Sequence, residues 1–231
     1  MKRNFICCII FYLAALMLIS IYFIFDITPK YIMNPIDRLV LLCMGCLSLY
    51  IGSLLLVRNY ENTKKDRIMR VTFIIFFILY ISLIFTLTNL DIKFGRSFSG
   101  NFIWNKSEIS SYIANSVNFI PFKTIYTYIN CLAKDNMRNI ALVNIFGNIV
   151  AFMPFAFFIP LIFRKVNSFI KFLICMVIIV ILVELMQVIL VSGSCDIDDL
   201  ILNVAGAVLT YGFLQIEKVK KCIFWLTKLE Y

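Results

Sequence analysis

The chain has 231 residues, 62% of them hydrophobic and 15% charged, with a mean hydropathy of +0.93, whereas a soluble domain is about 45–50% apolar and about 25% charged. It reads as an all-α integral membrane protein, and its net charge of +9 implies no nucleic acid if the basic residues sit in short loops on one side of a bilayer. The absence of histidine excludes Ser-His-Asp and Cys-His catalysis and HExxH-type zinc sites, which leaves proton transfer to carboxylates, Lys, Tyr, Cys or water.

The first apolar run, Phe5 to Phe25, follows Lys2 and Arg3 and is long enough to span, and no small-residue cleavage site follows it. Pro29 and Pro35 mark a connecting loop. Leu39 to Val57 is the second span, with Gly45, Ser48, Gly52 and Ser53 as small residues suited to close helix packing. The segment Arg58 to Arg70 is the strongest basic cluster and reads as a cytoplasmic loop before the third span, Val71 to Leu90.

The long polar segment 91–139 should be partly folded, because structureless loops of that length are uncommon. Within it, Phe122, Ile125, Tyr126, Ile129, Leu132 and Ala133 recur at helical spacing with Lys123, Thr124, Thr127 and Asn130 between them. The pattern predicts a short amphipathic helix, lying in the membrane interface with Trp104 at headgroup level or packed on the helix bundle.

The fourth span, Ile140 to Phe163, carries Asn144, Gly147, Asn148, Pro154 and Pro160, and a kink is expected near Pro154. The fifth, Phe172 to Val191, carries Glu184 and Gln187, and the sixth, Leu200 to about Ile216, is opened by Asp198 and Asp199. This gives an N-terminal three-helix region (1–90), an external loop with an interfacial helix (91–139), a three-helix core (140–216) and a basic cytoplasmic tail (217–231), with about six transmembrane helices in all.

Charge distribution orients these spans. A cytoplasmic amino terminus puts Lys2, Arg3, Arg58, Lys64, Lys65, Arg67, Arg70, Arg164, Lys165, Lys171 and the tail residues Lys218, Lys220, Lys221 and Lys228 inside, fourteen of the 22 basic residues, against Glu61, Asp66, Glu217 and Glu230. The eight basic residues outside are balanced by eight acidic ones, so both termini are expected in the cytoplasm.

With that topology, Asn144 and Asn148, Glu184 and Gln187, and Asp199 and Asn203 lie within about 12 Å of the outer boundary at about 1.5 Å per residue. Each pair is three or four residues apart and so shares one helix face. These polar groups either fix helix packing by hydrogen-bonding one another or also meet a ligand. In the packing reading Gly147, Gly206 and Gly212 let the backbones approach. In the ligand reading the six residues Asn144, Asn148, Glu184, Gln187, Asp199 and Asn203 form the site, and a catalytic version takes Glu184 as general base with Asp198 and Asp199 holding a divalent cation such as Mg²⁺. Against this, Asp198 and Asp199 are favourable simply as residues at a helix N-terminus, and Asp196 or Asp198 suits a cap. A Cys131–Cys195 disulfide is unsupported by the sequence, and the Cys43, Cys46 pair sits inside an apolar helix where thiols are inert.

The arrangement N-x-x-G-N running into F-x-P, then E-x-x-Q, then D-x-D-D-x-x-x-N-x-x-G resembles the VanZ-like family of membrane proteins. It is carried by Asn144, Gly147, Asn148, Phe152, Pro154, Glu184, Gln187, Asp196, Asp198, Asp199, Asn203 and Gly206, with Asn118, Pro121 and Phe122 similar to the family's entry segment. The resemblance runs from about Asn118 to Gly212 and leaves out the first three helices. Where family members often carry an Arg before the acidic run, this chain has Ser192, Gly193, Ser194 and Cys195, with Arg138 or Lys134 as the substitutes at hand. The resemblance implies a multi-pass protein of the cell membrane that lowers susceptibility to teicoplanin and related lipoglycopeptides. Its partners would be membrane lipids, a lipid-linked envelope precursor or the lipoglycopeptide itself. An enzyme acting on an envelope lipid through Glu184 and Asp199, and a lipid transporter, are the alternatives. Nothing in the sequence carries a nucleotide loop, a metal motif or transporter-type repeats.

Overall fold

The computed structural model describes residues 2–27, 34–58, 60–89, 110, 114, 116–190 and 192–229. Six helical spans are long and apolar enough to cross a membrane, as the hydropathy pattern predicts. Trp104 and most of the segment 90–115 lie outside the described residues. The chain forms two compact units, Met1–Leu83 with Lys221–Tyr231, and Ile84–Lys220.

The first unit is built on α1 (Lys2–Ile27), α2 (Pro35–Val57) and the start of α3 (Asn62–Asn89). Small residues on α2 let α1 approach: a Cβ on Gly45 would stand 3.0 Å from Ile19 Cγ1, and one on Gly52 3.4 Å from Phe11 and Tyr12. The Ser53 hydroxyl lies 3.1 Å from Tyr12 Oη on α1 and 2.8 Å from Thr72 Oγ1 on α3, so one buried hydroxyl chain ties three helices. Helix α3 starts nine residues before the expected span. Residues 62–70 contain no Gly or Pro and are rich in Lys and Arg, strong helix formers, so the helix runs on past the apolar stretch. The carboxyl-terminal segment also folds, as α9 (Glu217–Thr227), where Tyr50 Oη donates to the carbonyl of Leu226 at 2.6 Å.

The second unit contains α4 (Lys123–Leu132), α5 (Asp135–Ala151), α6 (Phe155–Ile162), α7 (Phe169–Ile189) and α8 (Ile197–Leu214), with a two-residue parallel bridge between β1 (Val117–Asn118) and β2 (Cys195–Asp196). The fourth span is not a single kinked helix. At Phe152–Pro154 the α-helical ladder gives way to tighter bonds, Phe155 N–H to Phe152 O and Ala156 N–H to Met153 O, because Pro154 has no N–H to continue it. Helix α8 is the centre of the unit and packs against α5, α6 and α7. It comes close to α5 at Gly206, where any Cβ would fall 2.0 Å from the carbonyl oxygen of Ile149. Further along, Phe172 stacks on Tyr211 at 4.4 Å and Phe152 on Phe155 at 5.2 Å, closing a core that includes Met176, Val180 and Ala207. Ile170, Ile174, Ile178 and Leu185 of α7 stay exposed, an apolar face suited to lipid.

Candidate functional site

The acidic run is a structural knot. Asp196 caps α8, accepting from Asp198 N–H at 2.9 Å, and also accepts from Asn118 Nδ2 at 2.9 Å and Thr124 Oγ1 at 2.6 Å. Asp198 is fully buried, and its two carboxylate oxygens accept the backbone N–H groups of Phe122 (2.5 Å), Thr124 (2.7 Å) and Ile125 (3.0 Å). The amino ends of two helices, α4 and α8, thus converge on one pair of carboxylates, where their orphan N–H groups and positive dipole ends favour negative charge. Asn118 completes the knot with an Asx-type turn, its Oδ1 accepting from Ile120 N–H at 3.2 Å, and the chain then turns through Phe122 at φ 65 into α4. The Asn118–Phe122 segment and the acidic run are therefore the two halves of one joint.

This arrangement does not suit the divalent cation that the catalytic reading would place at Asp198 and Asp199. Both oxygens of Asp198 already accept backbone N–H groups, and Asp199 Oδ1 accepts from Asn148 Nδ2 across the α5–α8 contact. Among the described residues no group of three or more His, Cys, Asp or Glu side chains is placed to hold a metal ion. Arg138, a substitute for the missing family Arg, is bound to Asp135 at 3.1 Å and to the Leu132 carbonyl at 3.0 Å instead of reaching the acidic run.

The remaining expected residues divide by role. Glu184 is buried on α7 and accepts from Asp196 N–H at 3.2 Å, joining α7 to the knot. Gln187, also buried, donates to the Thr88 carbonyl at 3.1 Å and so holds the end of α3, helped by Ser192 Oγ beside Asn89 Oδ1 at 3.4 Å. Asn203 is buried on α8, and its Oδ1, like Oε1 of Gln187, has no hydrogen-bond partner among the described residues. Asn144 and Asn148 border a groove of about 260 Å³ that runs between the end of α3 and α5. Gly147, between them, also faces open space, as does Gly212. Of the three glycines expected to bring helices together, only Gly206 does so.

Cys131 and Cys195 are both free thiols. Burial, and then the carboxylates of Glu184, Asp196 and Asp199, push the Cys195 thiol up, which opposes a nucleophilic role. Sequence reasoning missed Thr88, Asn89, Thr124 and Ser192. The first two were detectable as the polar pair that ends the apolar run of α3, whereas Thr124 gave no signal apart from its place in the amphipathic pattern.

Fold and site together define a polytopic helical membrane protein whose last three spans are laced by carboxylate and amide side chains rather than by apolar packing alone. The VanZ/LLP1 family model matches residues 73–218, more than half of the chain, and the protein belongs to that family. The match takes in most of α3, beyond the Asn118–Gly212 stretch that carries the resemblance in the sequence. The hydrogen bonds from Gln187 and Ser192 to the end of α3 give that extension a physical basis. No curated protein and no solved structure matches the chain.

Proposed function

We propose that this VanZ-like protein acts in the cell membrane as a non-catalytic envelope factor, binding a lipid-bearing ligand and lowering susceptibility to teicoplanin and related lipoglycopeptides. One observation carries the reading: the oxygens of Asp196 and Asp198 are committed to internal hydrogen bonds, while Asn144 and Asn148 border a groove. Carboxylates engaged in this way hold structure together, and amide groups that keep a spare donor beside an apolar groove suit recognition. The charge asymmetry supports cytoplasmic termini and a site in the outer half of the bilayer. A membrane-impermeant maleimide should then reach Cys131 in intact cells and Cys222 only after permeabilisation.

The enzyme reading retains Glu184, a buried carboxylate one helix away from the Asn148–Asp199 pair. Expression in a susceptible bacterium separates the two. The binding reading expects a several-fold rise in the inhibitory concentration of teicoplanin, little change for a glycopeptide without a lipid chain, and an unchanged envelope-lipid mass spectrum. New lipid species would favour the enzyme. An equal response to both antibiotics, or none, would remove the lipoglycopeptide reading.

A further inference from the structure

The groove beside Asn144 has a wall that the rest of the fold does not need. Helix-interior glycine is less favourable than alanine, and proteins accept this where a backbone or a ligand must come close. At Gly206 the reason is visible in Ile149. At Gly147 no described residue outside its own helix backbone and chain neighbours comes within 4 Å of the position a Cβ would take, and Gly147 lines the groove between Asn144 and Asn148. The missing side chain therefore leaves room for something other than the protein's own atoms.

The groove walls say what fits. Ile84 and Leu87 of α3 face Val143 and the Val150–Ala151 turn of α5, so most of the lining is apolar. Water needs two to four polar partners and suits such walls poorly. Both walls belong to membrane-spanning helices, so the apolar matter at hand is lipid. The volume, about 260 Å³, is below the roughly 300–1,000 Å³ of pockets that enclose a drug-sized ligand, and it suits one hydrocarbon chain.

One end is polar. Asn144 donates to the Ile140 carbonyl at 2.8 Å, and Asn148 donates to Asp199. An asparagine amide has two N–H donors, so each keeps one, and Asn144 keeps its Oδ1 as well. The apolar Val150–Ala151 end lies about 10 Å along α5 from Asn144 and about 3–4.5 Å from Asn148 at about 1.5 Å per residue. A chain lying along this axis would place its ester linkage at Asn144 and Asn148 and its methylenes toward Ala151.

We infer that the α3–α5 groove is a binding site for one acyl chain of a membrane glycerolipid, with Gly147 as its floor and Asn144 and Asn148 meeting the ester linkage. The inference rests on the binding reading above and names the class of ligand that occupies the site.

Native mass spectrometry of the full chain released from nanodiscs of dioleoylphosphatidylglycerol tests it. Wild-type protein should retain one lipid. Gly147→Leu puts an isobutyl group into the groove from a position where its Cβ meets no described residue, and retention should fall roughly tenfold, as expected from losing the burial of about two methylenes. Gly212→Leu adds the same bulk at another open position of a membrane helix and should retain lipid as wild type does, with circular dichroism checking that both variants fold. Undiminished retention in Gly147→Leu, or an equal loss in Gly212→Leu, overturns the site. Antibiotic susceptibility is read separately. Lipid lost from Gly147→Leu with unchanged teicoplanin susceptibility keeps the acyl-chain site and removes the envelope-factor reading instead.

Discussion

The carboxylate of Asp198 accepts the backbone N–H of Thr124 at 2.7 Å, across 74 residues of sequence, and so fixes the first turn of α4 to the first turn of α8. Hydrogen bonds to charged groups contribute about 1.5–3 kcal/mol each, and a buried donor left unanswered costs about 1–3 kcal/mol. Asp198→Asn turns one acceptor into a donor facing backbone N–H groups, so it should cost about 3 kcal/mol or more. The readouts are a lowered thermal midpoint in detergent and proteolytic cleavage within Lys123–Leu132. Asp199→Asn keeps an oxygen for Asn148 and should be close to wild type by both measures.

The glycines of α5 and α8 predict opposite outcomes for one substitution. Gly206→Ala forces a Cβ against the Ile149 carbonyl, so α5 and α8 must part, at a cost of about 1–3 kcal/mol or more. Gly147→Ala meets nothing and gains helix propensity, so it should be neutral or stabilising by about 0.5–1 kcal/mol. Thermal unfolding of the two variants side by side checks the contrast, and equal effects would mean that the α5–α8 contact is misplaced.

The spans were legible in the sequence because a bilayer demands about 20 apolar residues at a time, and that signal survives any detail of packing. The amphipathic pattern from Phe122 to Ala133 likewise found α4 to within a residue or so. What stayed hidden is the pairing of Asn118–Phe122 with Asp196–Asp198. A two-residue parallel bridge has no periodicity, and a carboxylate that caps a helix 74 residues away looks the same in sequence as one that caps its own or binds a cation. The sequence singles out the polar residues, but their division into a knot, a brace for α3 and a groove wall depends on which face of each helix meets which neighbour. Gly147 and Gly206 show this well, since the same residue type opens a groove at one position and closes a helix contact at the other.

Among the described residues the apolar face of α4 is largely uncovered, with Phe122, Tyr126 and Ile129 all exposed while Ile125 is half-buried. Three large apolar groups on one face suit the bilayer interface. Under the proposed function, Ile129→Lys or Ile125→Lys should therefore reduce teicoplanin tolerance more than Thr127→Lys, since Thr127 lies on the polar face and donates to the Lys123 carbonyl. Equal losses from all three would mean that α4 has no preferred side toward lipid.

Cys195 offers a chemical probe of the knot. Burial and the carboxylates of Glu184, Asp196 and Asp199 raise its pKa, so its thiolate fraction at neutral pH is below that of an ordinary thiol. Alkylation by iodoacetamide, in a background with the other cysteines replaced, should be slow at pH 7 and rise with pH to an inflection above the ordinary thiol range. Because Glu184 contributes through its negative charge, Glu184→Gln should move that inflection downward and speed alkylation at fixed pH. An unmoved inflection would show that Glu184 carries no charge near Cys195.

The same substitution decides whether charge is part of the function. Glu184 accepts Asp196 N–H at 3.2 Å, and a glutamine in its place keeps the volume and one oxygen to accept with. A purely structural role should thus survive Glu184→Gln with a modest loss, since interhelical hydrogen bonds in membranes average about 0.6 kcal/mol. A general base or an ionic contact to the ligand would not survive, because the charge itself is required. Under the proposed function, with recognition assigned to the α3–α5 groove, we expect Glu184→Gln to accumulate in the membrane at wild-type level and to keep teicoplanin tolerance. Asp199→Asn, which preserves the bond from Asn148 in the same way, tests the neighbouring carboxylate. Loss of tolerance at normal protein level with an unchanged lipid spectrum would assign the charge to ligand binding, and a changed spectrum would assign it to catalysis. Full tolerance in both variants would remove ionised groups from the site and leave Glu184 and Asp199 as hydrogen-bonding links between helices.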